Sequence, residues 1–123
     1  MKGGLFSIFL VSLLFIFGCA PHMVVFERGN GATEAQIYTM KITGGSQANL
    51  SKNIFLDSSP SVCPDGKTIV FSSSRDVSKS TREIDVYRSS KDIYIMDING
   101  RNVRQLTFGT GRARDPKCSS QGL

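Results

Sequence analysis

The sequence predicts an all-β fold built from antiparallel four-stranded sheets, about two of them in series. Three observations predict it. First, the stretch AQIYTMKITGGSQANLS at 35–51 returns 56 residues later as KDIYIMDINGRNVRQLT at 91–107. Second, the ungapped copies agree at strand and turn positions: Ile37/Ile93, Tyr38/Tyr94, Met40/Met96, Ile42/Ile98, Gly44/Gly100, Leu50/Leu106, Pro60/Pro116 and Gly66/Gly122. Repetition with such a period marks stacked supersecondary units. Third, the strand-like runs are apolar on both faces, with Tyr94, Met96 and Ile98 on one and Ile93 and Ile95 on the other. That pattern suits a sheet covered on both sides. A unit of this kind buries its faces only against its neighbours, which is why the chain repeats it.

Residues 1–18 stand outside the fold and read as a signal helix. Met1-Lys2 is a short basic start, and Leu5 to Phe17 is an uncharged, mainly apolar run of 13 residues. A membrane span takes about 20 helical residues. Residues 19–22 form a tether, and 23–123 read as two β repeats. MVVFERG at 23–29 is a strand whose Val25-Phe26 is answered by Val70-Phe71, 45 residues on. The first copy of the hairpin follows. The next unit is complete, with strands at 59–63, 67–73, 92–98 and 103–107. Pro64-Asp65-Gly66-Lys67 turns its first pair, and Asn99-Gly100 signals a two-residue hairpin with positive φ at both positions. DPKCS at 115–119 reads as the first strand of a further unit. Phe26 precedes Ile37 by 11 residues, whereas Phe71 precedes Ile93 by 22. An 11-residue insertion within the charged stretch SSSRDVSKSTREIDVYRSSK accounts for the difference. Without it the period is 45, within the roughly 40–45 residues of a four-stranded propeller blade. The expected architecture is about two blades, a partial or truncated β-propeller behind an N-terminal signal helix.

Two family resemblances accompany this reading. Pro60, Pro64-Asp65-Gly66, Phe71, Ser74-Arg75-Asp76, Ile93-Tyr94, Met96-Asp97, Gly100 and Leu106-Thr107 resemble the repeats of TolB-type β-propellers. In that family a Pro-Asp-Gly turn, a strand ending in Ser-Arg-Asp, an Ile-Tyr-x-Met-Asp strand and a Leu-Thr follow one another. Cys63 stands where a serine is usual, and CSSQG where the family has a Ser-Pro-Asp-Gly. Ile16-Phe17-Gly18-Cys19 resembles the bacterial lipoprotein cleavage box. That resemblance implies removal of residues 1–18 and a covalent lipid on Cys19, with no other cofactor. It also implies the periplasmic face of a bacterial cell envelope. Ala20, which is not the aspartate that retains some lipoproteins at the inner membrane, favours the outer one.

Catalysis finds no foothold in these residues. His22 is the only histidine and sits in the tether, there is no Gly-x-Ser-x-Gly elbow, and no Cys/His set has metal-ligand spacing. Cys63 and Cys118 read by default as small, half-buried thiols, with a disulfide as the alternative open to an exported chain. The excess of 15 Lys and Arg over 10 Asp and Glu is modest. It comes without the aromatic-studded basic stretch that nucleic-acid binding needs. Much of it gathers where propeller topology places one set of loops: Arg75, Lys79, Arg82 and Arg88 in the insertion, Arg112 and Arg114 in the following link. Those six are the candidate binding residues, forming a basic face for an acidic partner. The expected function is a non-enzymatic, lipid-anchored scaffold that binds envelope proteins, as an N-terminal piece of a longer propeller. Another expectation is a homo-oligomer that completes a ring. The alternative function is the propeller piece of a periplasmic hydrolase or peptidase whose catalytic domain lies elsewhere.

Overall fold

A computed structural model describes residues 22–29, 34–75 and 90–120. The signal segment, Cys19 and most of the insertion, including Lys79, Arg82 and Arg88, lie outside them. The chain forms seven strands and, among the described residues, no helix: β1 (Met23–Arg28), β2 (Gln36–Lys41), β3 (Ala48–Asn49), β4 (Asp57–Val62), β5 (Thr68–Ser73), β6 (Asp92–Asp97) and β7 (Arg104–Gln105). They make two antiparallel sheets, ordered β1-β2-β3 and β4-β5-β6-β7. The all-β expectation of stacked blades, one lacking its first strand, is what the molecule shows.

The repeat holds at the level of single hydrogen bonds. Phe26 lies opposite Tyr38 in the first sheet and Phe71 opposite Tyr94 in the second; Tyr38 then faces Asn49 as Tyr94 faces Gln105. Leu50 N donates to Ile37 O at 2.8 Å, and Leu106 N to Ile93 O at 2.7 Å. Ser51 Oγ accepts from Ile37 N at 3.0 Å, and Thr107 Oγ1 from Ile93 N at 2.9 Å. Backbone geometry repeats as well. Gly44 and Gly100 have φ of 84° and 82°, and Ser46 and Asn102 have 50° and 54°.

Three details differ from the sequence expectation. The Asn99-Gly100 turn is a three-residue loop, not a two-residue one. Gly100 N donates to Asp97 O and Asp97 N to Arg101 O, each at 2.8 Å, so only Gly100 needs the left-handed region. The first strand of the second sheet starts two residues earlier than expected, at Asp57, because a bulge at Ser59 (φ 53°) separates its two paired stretches. Finally, DPKCS is not a strand: 112–119 is irregular, since no neighbouring strand among the described residues offers its backbone a ladder.

Ile37, Ile69, Phe71, Tyr94 and Met96 form the core between the sheets, with Val25, Leu50 and Ile98 packed against it. At roughly 25 cal/mol per Å² of apolar area removed from water, this interface is what joins the blades. Cys63 and Cys118 are joined in a disulfide, with Cα atoms 5.0 Å apart. That corrects the default reading of two half-buried thiols. The fold brings the irregular segment at 112–119 beside the end of β4, a proximity that one sequence cannot show.

Candidate binding surface

The end of the second sheet where β5 stops and β6 starts carries Arg75, Lys91, Arg112 and Arg114 among the described residues. Arg75 follows β5 and was expected to face a partner. It instead turns inward. Its Nη2 lies 2.8 Å from Asp57 Oδ2, and its guanidinium sits 5.2 Å from the Phe71 ring centre and 5.6 Å from that of Tyr94. Asp57 is fully buried and also accepts from Asn53 Nδ2 at 2.7 Å. A planar cation stacked on two rings and paired with a buried carboxylate is an internal tie within the second sheet, which Asn53 extends to the link before β4. The sequence offered no sign of it, because Asp57 precedes Arg75 by 18 residues, at the start of β4.

Arg112 and Arg114 are exposed. The link that carries them folds against the start of β6: Lys91 N donates to Gly111 O at 3.2 Å and Ala113 N to Lys91 O at 3.0 Å. The expectation that this link and the insertion share one end of the sheet therefore rests on a described contact at Lys91, just past the insertion. Lys91 Nζ donates to Ser58 Oγ at 2.6 Å. Burial pulls its ammonium below the usual lysine range, and Arg114 adds to that; Glu27, Asp115 and Asp57 work the other way.

Beside Lys91, Asp92 organises the link. Its carboxylate accepts from Thr107 Oγ1 at 2.8 Å and Thr110 Oγ1 at 2.7 Å, and from the amides of Gly109 and Thr110, each at 3.3 Å. Burial alone raises a carboxyl, but these bonds, led by Thr110 and Thr107, outweigh it and hold Asp92 below the usual carboxylate range. The first repeat does the same with an uncharged residue. Gln36 Oε1 accepts from Ser51 Oγ and Asn53 N, each at 3.0 Å.

A second feature lies on the face of β1 and β2 turned away from the core. Arg28 stands over the Tyr38 ring at 5.5 Å, and Phe26 stacks on Tyr38 with centroids 5.9 Å apart. Arg28, Tyr38, Glu34, Asn53 and Ile54 border an open groove of about 610 Å³. Phe71, Tyr94 and Arg75 form the same aromatic pair and cation in the second sheet, with the rings again 5.9 Å apart. There Val25, Ile37 and Leu50 of the first repeat pack against the rings.

Among the described residues no three His, Cys, Asp or Glu side chains group as a metal site, and no helix is long and apolar enough to cross a membrane. No known family profile matches the chain, and no curated protein matches it. A solved structure of a candidate TolB from Agrobacterium tumefaciens does, with a TM-score of 0.52 and 24% identity over 68% of this chain. The fold is TolB-like. The match spans only 28% of that protein's length.

Proposed function

We propose that this protein is a non-enzymatic, lipid-anchored module of the bacterial cell envelope that binds other envelope proteins. The observation that carries the reading is the stacked-blade fold shared with a candidate TolB, joined to the cleavage-box resemblance at Cys19. Such blades are rigid scaffolds whose loops are free to recognise partners. The lipid on Cys19 holds the module at the periplasmic face of a membrane, the outer one by the Ala20 rule. Exposed Arg112 and Arg114, with Lys79, Arg82 and Arg88 in the insertion, supply a basic docking face for an acidic protein surface. Arg75 is left out of it, being committed to Asp57.

Mass spectrometry of the chain recovered from bacterial membranes tests the anchor. A diacylglyceryl cysteine at residue 19 is the expected N-terminus, and Cys19→Ala should remain uncleaved. Normal maturation of that variant would refute the anchor. An Arg82→Glu/Arg112→Glu variant tests the face by pull-down from envelope extract. Recovery of its partners should fall about tenfold, and unchanged recovery would refute the face.

A further inference from the structure

Two open features of the molecule are complementary. The first sheet has no strand beyond β1, so one backbone edge of β1 lacks a ladder among the described residues. The segment 113–118, which corresponds to β4 one repeat later, pairs with no strand among the described residues. One position in it nonetheless repeats the backbone geometry of that strand. Asp115 has φ of 50°, matching the 53° of its counterpart Ser59 at the bulge of β4. Cys118 is fastened by its disulfide to Cys63 at the end of β4, which holds the segment beside that strand.

The faces match too. Val25, Ile37 and Leu50 of the first sheet meet Ile69, Phe71, Tyr94, Met96 and Ile98 of the second across the core. One repeat on, Val70, Ile93 and Leu106 occupy the equivalent positions on the outer side of the second sheet. On the outer side of the first, Val24, Phe26, Tyr38, Met40 and Ile42 answer the second set. Every member is still apolar, and Ile42 and Leu106 are 65% and 42% exposed. The internal interface is thus a template for an external one of the same chemistry.

We infer that a second copy of this chain stacks head to tail on the first. Its 113–118 segment adds to the free edge of β1 as the missing strand. Transferring the β4–β5 register to this junction sets Ala113 opposite Arg28, Arg114 opposite Glu27, Lys117 opposite Val25 and Cys118 opposite Val24. Arg114 and Glu27, both exposed in the single copy, become an opposite-charge cross-strand pair. The groove at Arg28 and Tyr38 is covered by the neighbour's second sheet, as Phe71 and Tyr94 are covered by Val25, Ile37 and Leu50 of the first. The contact is heterologous, and it closes into a ring if the rotation between copies repeats that between blades of a propeller. With two blades per copy, propellers of about four to eight blades correspond to about two to four copies.

Sedimentation and native mass spectrometry of the full chain in mild detergent test this at micromolar concentration. A discrete species of about two to four copies is expected. Leu106→Asp alters a residue exposed in the single copy and should leave a monomer with unchanged circular dichroism. Arg114→Glu should weaken association about tenfold, and Glu27→Arg/Arg114→Glu should restore it. A wild-type monomer would overturn the inference, whether its edge stays bare or further blades of a longer chain cover it. So would an oligomer indifferent to all three variants. Neither result bears on the lipid anchor, and the Arg82→Glu/Arg112→Glu test of the basic face leaves Arg114 and Glu27 untouched.

Discussion

The two sheets are built on one plan but end up in different states. In both, an aromatic from the second strand of the blade plan stacks on the tyrosine opposite, and an arginine stands over the rings. In the second sheet that assembly is sealed. Arg75 finds Asp57 at the start of β4, and Phe71 and Tyr94 go into the core. In the first, Arg28 donates to Gln47 Oε1 at 3.1 Å on an exposed surface, and Arg28 and Tyr38 line a groove. The same side chains are structure in one place and available surface in the other. What separates them is whether a neighbouring repeat lies on top.

The difference sets how much each copy of a residue is worth, and variants can break or sharpen it. The largest effect is expected at the bridge, which serves only the second sheet. Cys118→Ser should lower the unfolding free energy by about 4 kcal/mol for a loop of 55 residues, read from urea melts. Arg75→Ala should cost about 3 kcal/mol by leaving Asp57 buried without its cation. Its counterpart Arg28→Ala should cost under about 1 kcal/mol in the same assay, and equal losses would end the comparison.

Asp92→Asn should cost about 2 kcal/mol at pH 7, by weakening bonds to a charged acceptor. The folded carboxyl sits below its unfolded value of 3.8, so this stability is present above that value and lost as pH falls through the folded one. Wild type and variant should therefore converge in melts taken in increasingly acidic buffer, whereas Gln36→Ala should show no such pH dependence. The smallest contrast lies at the paired glycines. A Cβ on Gly44 meets nothing, so Gly44→Ala should cost about 1 kcal/mol for its left-handed φ alone. At Gly100 a Cβ would stand 2.7 Å from Leu50 O, so Gly100→Ala should cost measurably more.

Much of the fold was legible because it is periodic. Ile37/Ile93 and Tyr38/Tyr94 named the strands, Gly44/Gly100 the hairpins, and the unequal spacing from Phe26 and Phe71 located the insertion. The features the reading missed are those where the copies diverge. Gln36 and Asp92 share a role but not an identity, so their matched hydrogen bonds left no trace in the identities. Cys63 and Cys118 are 55 residues apart, one short of the repeat, and join the end of β4 to an irregular segment without being equivalents. Arg75 carried the ordinary mark of a surface loop.

By itself the sequence determined the unit: its alternation of side chains, its turns, and the need for each sheet to be covered by another. Those follow from local backbone preference and from apolar area, both of which are written residue by residue. Only the tertiary structure decided which charges are spent inside and which are left to meet a partner. Arg75 and Asp57, like Cys63 and Cys118, acquire their roles from proximity across the chain, and proximity of that kind has no local signature.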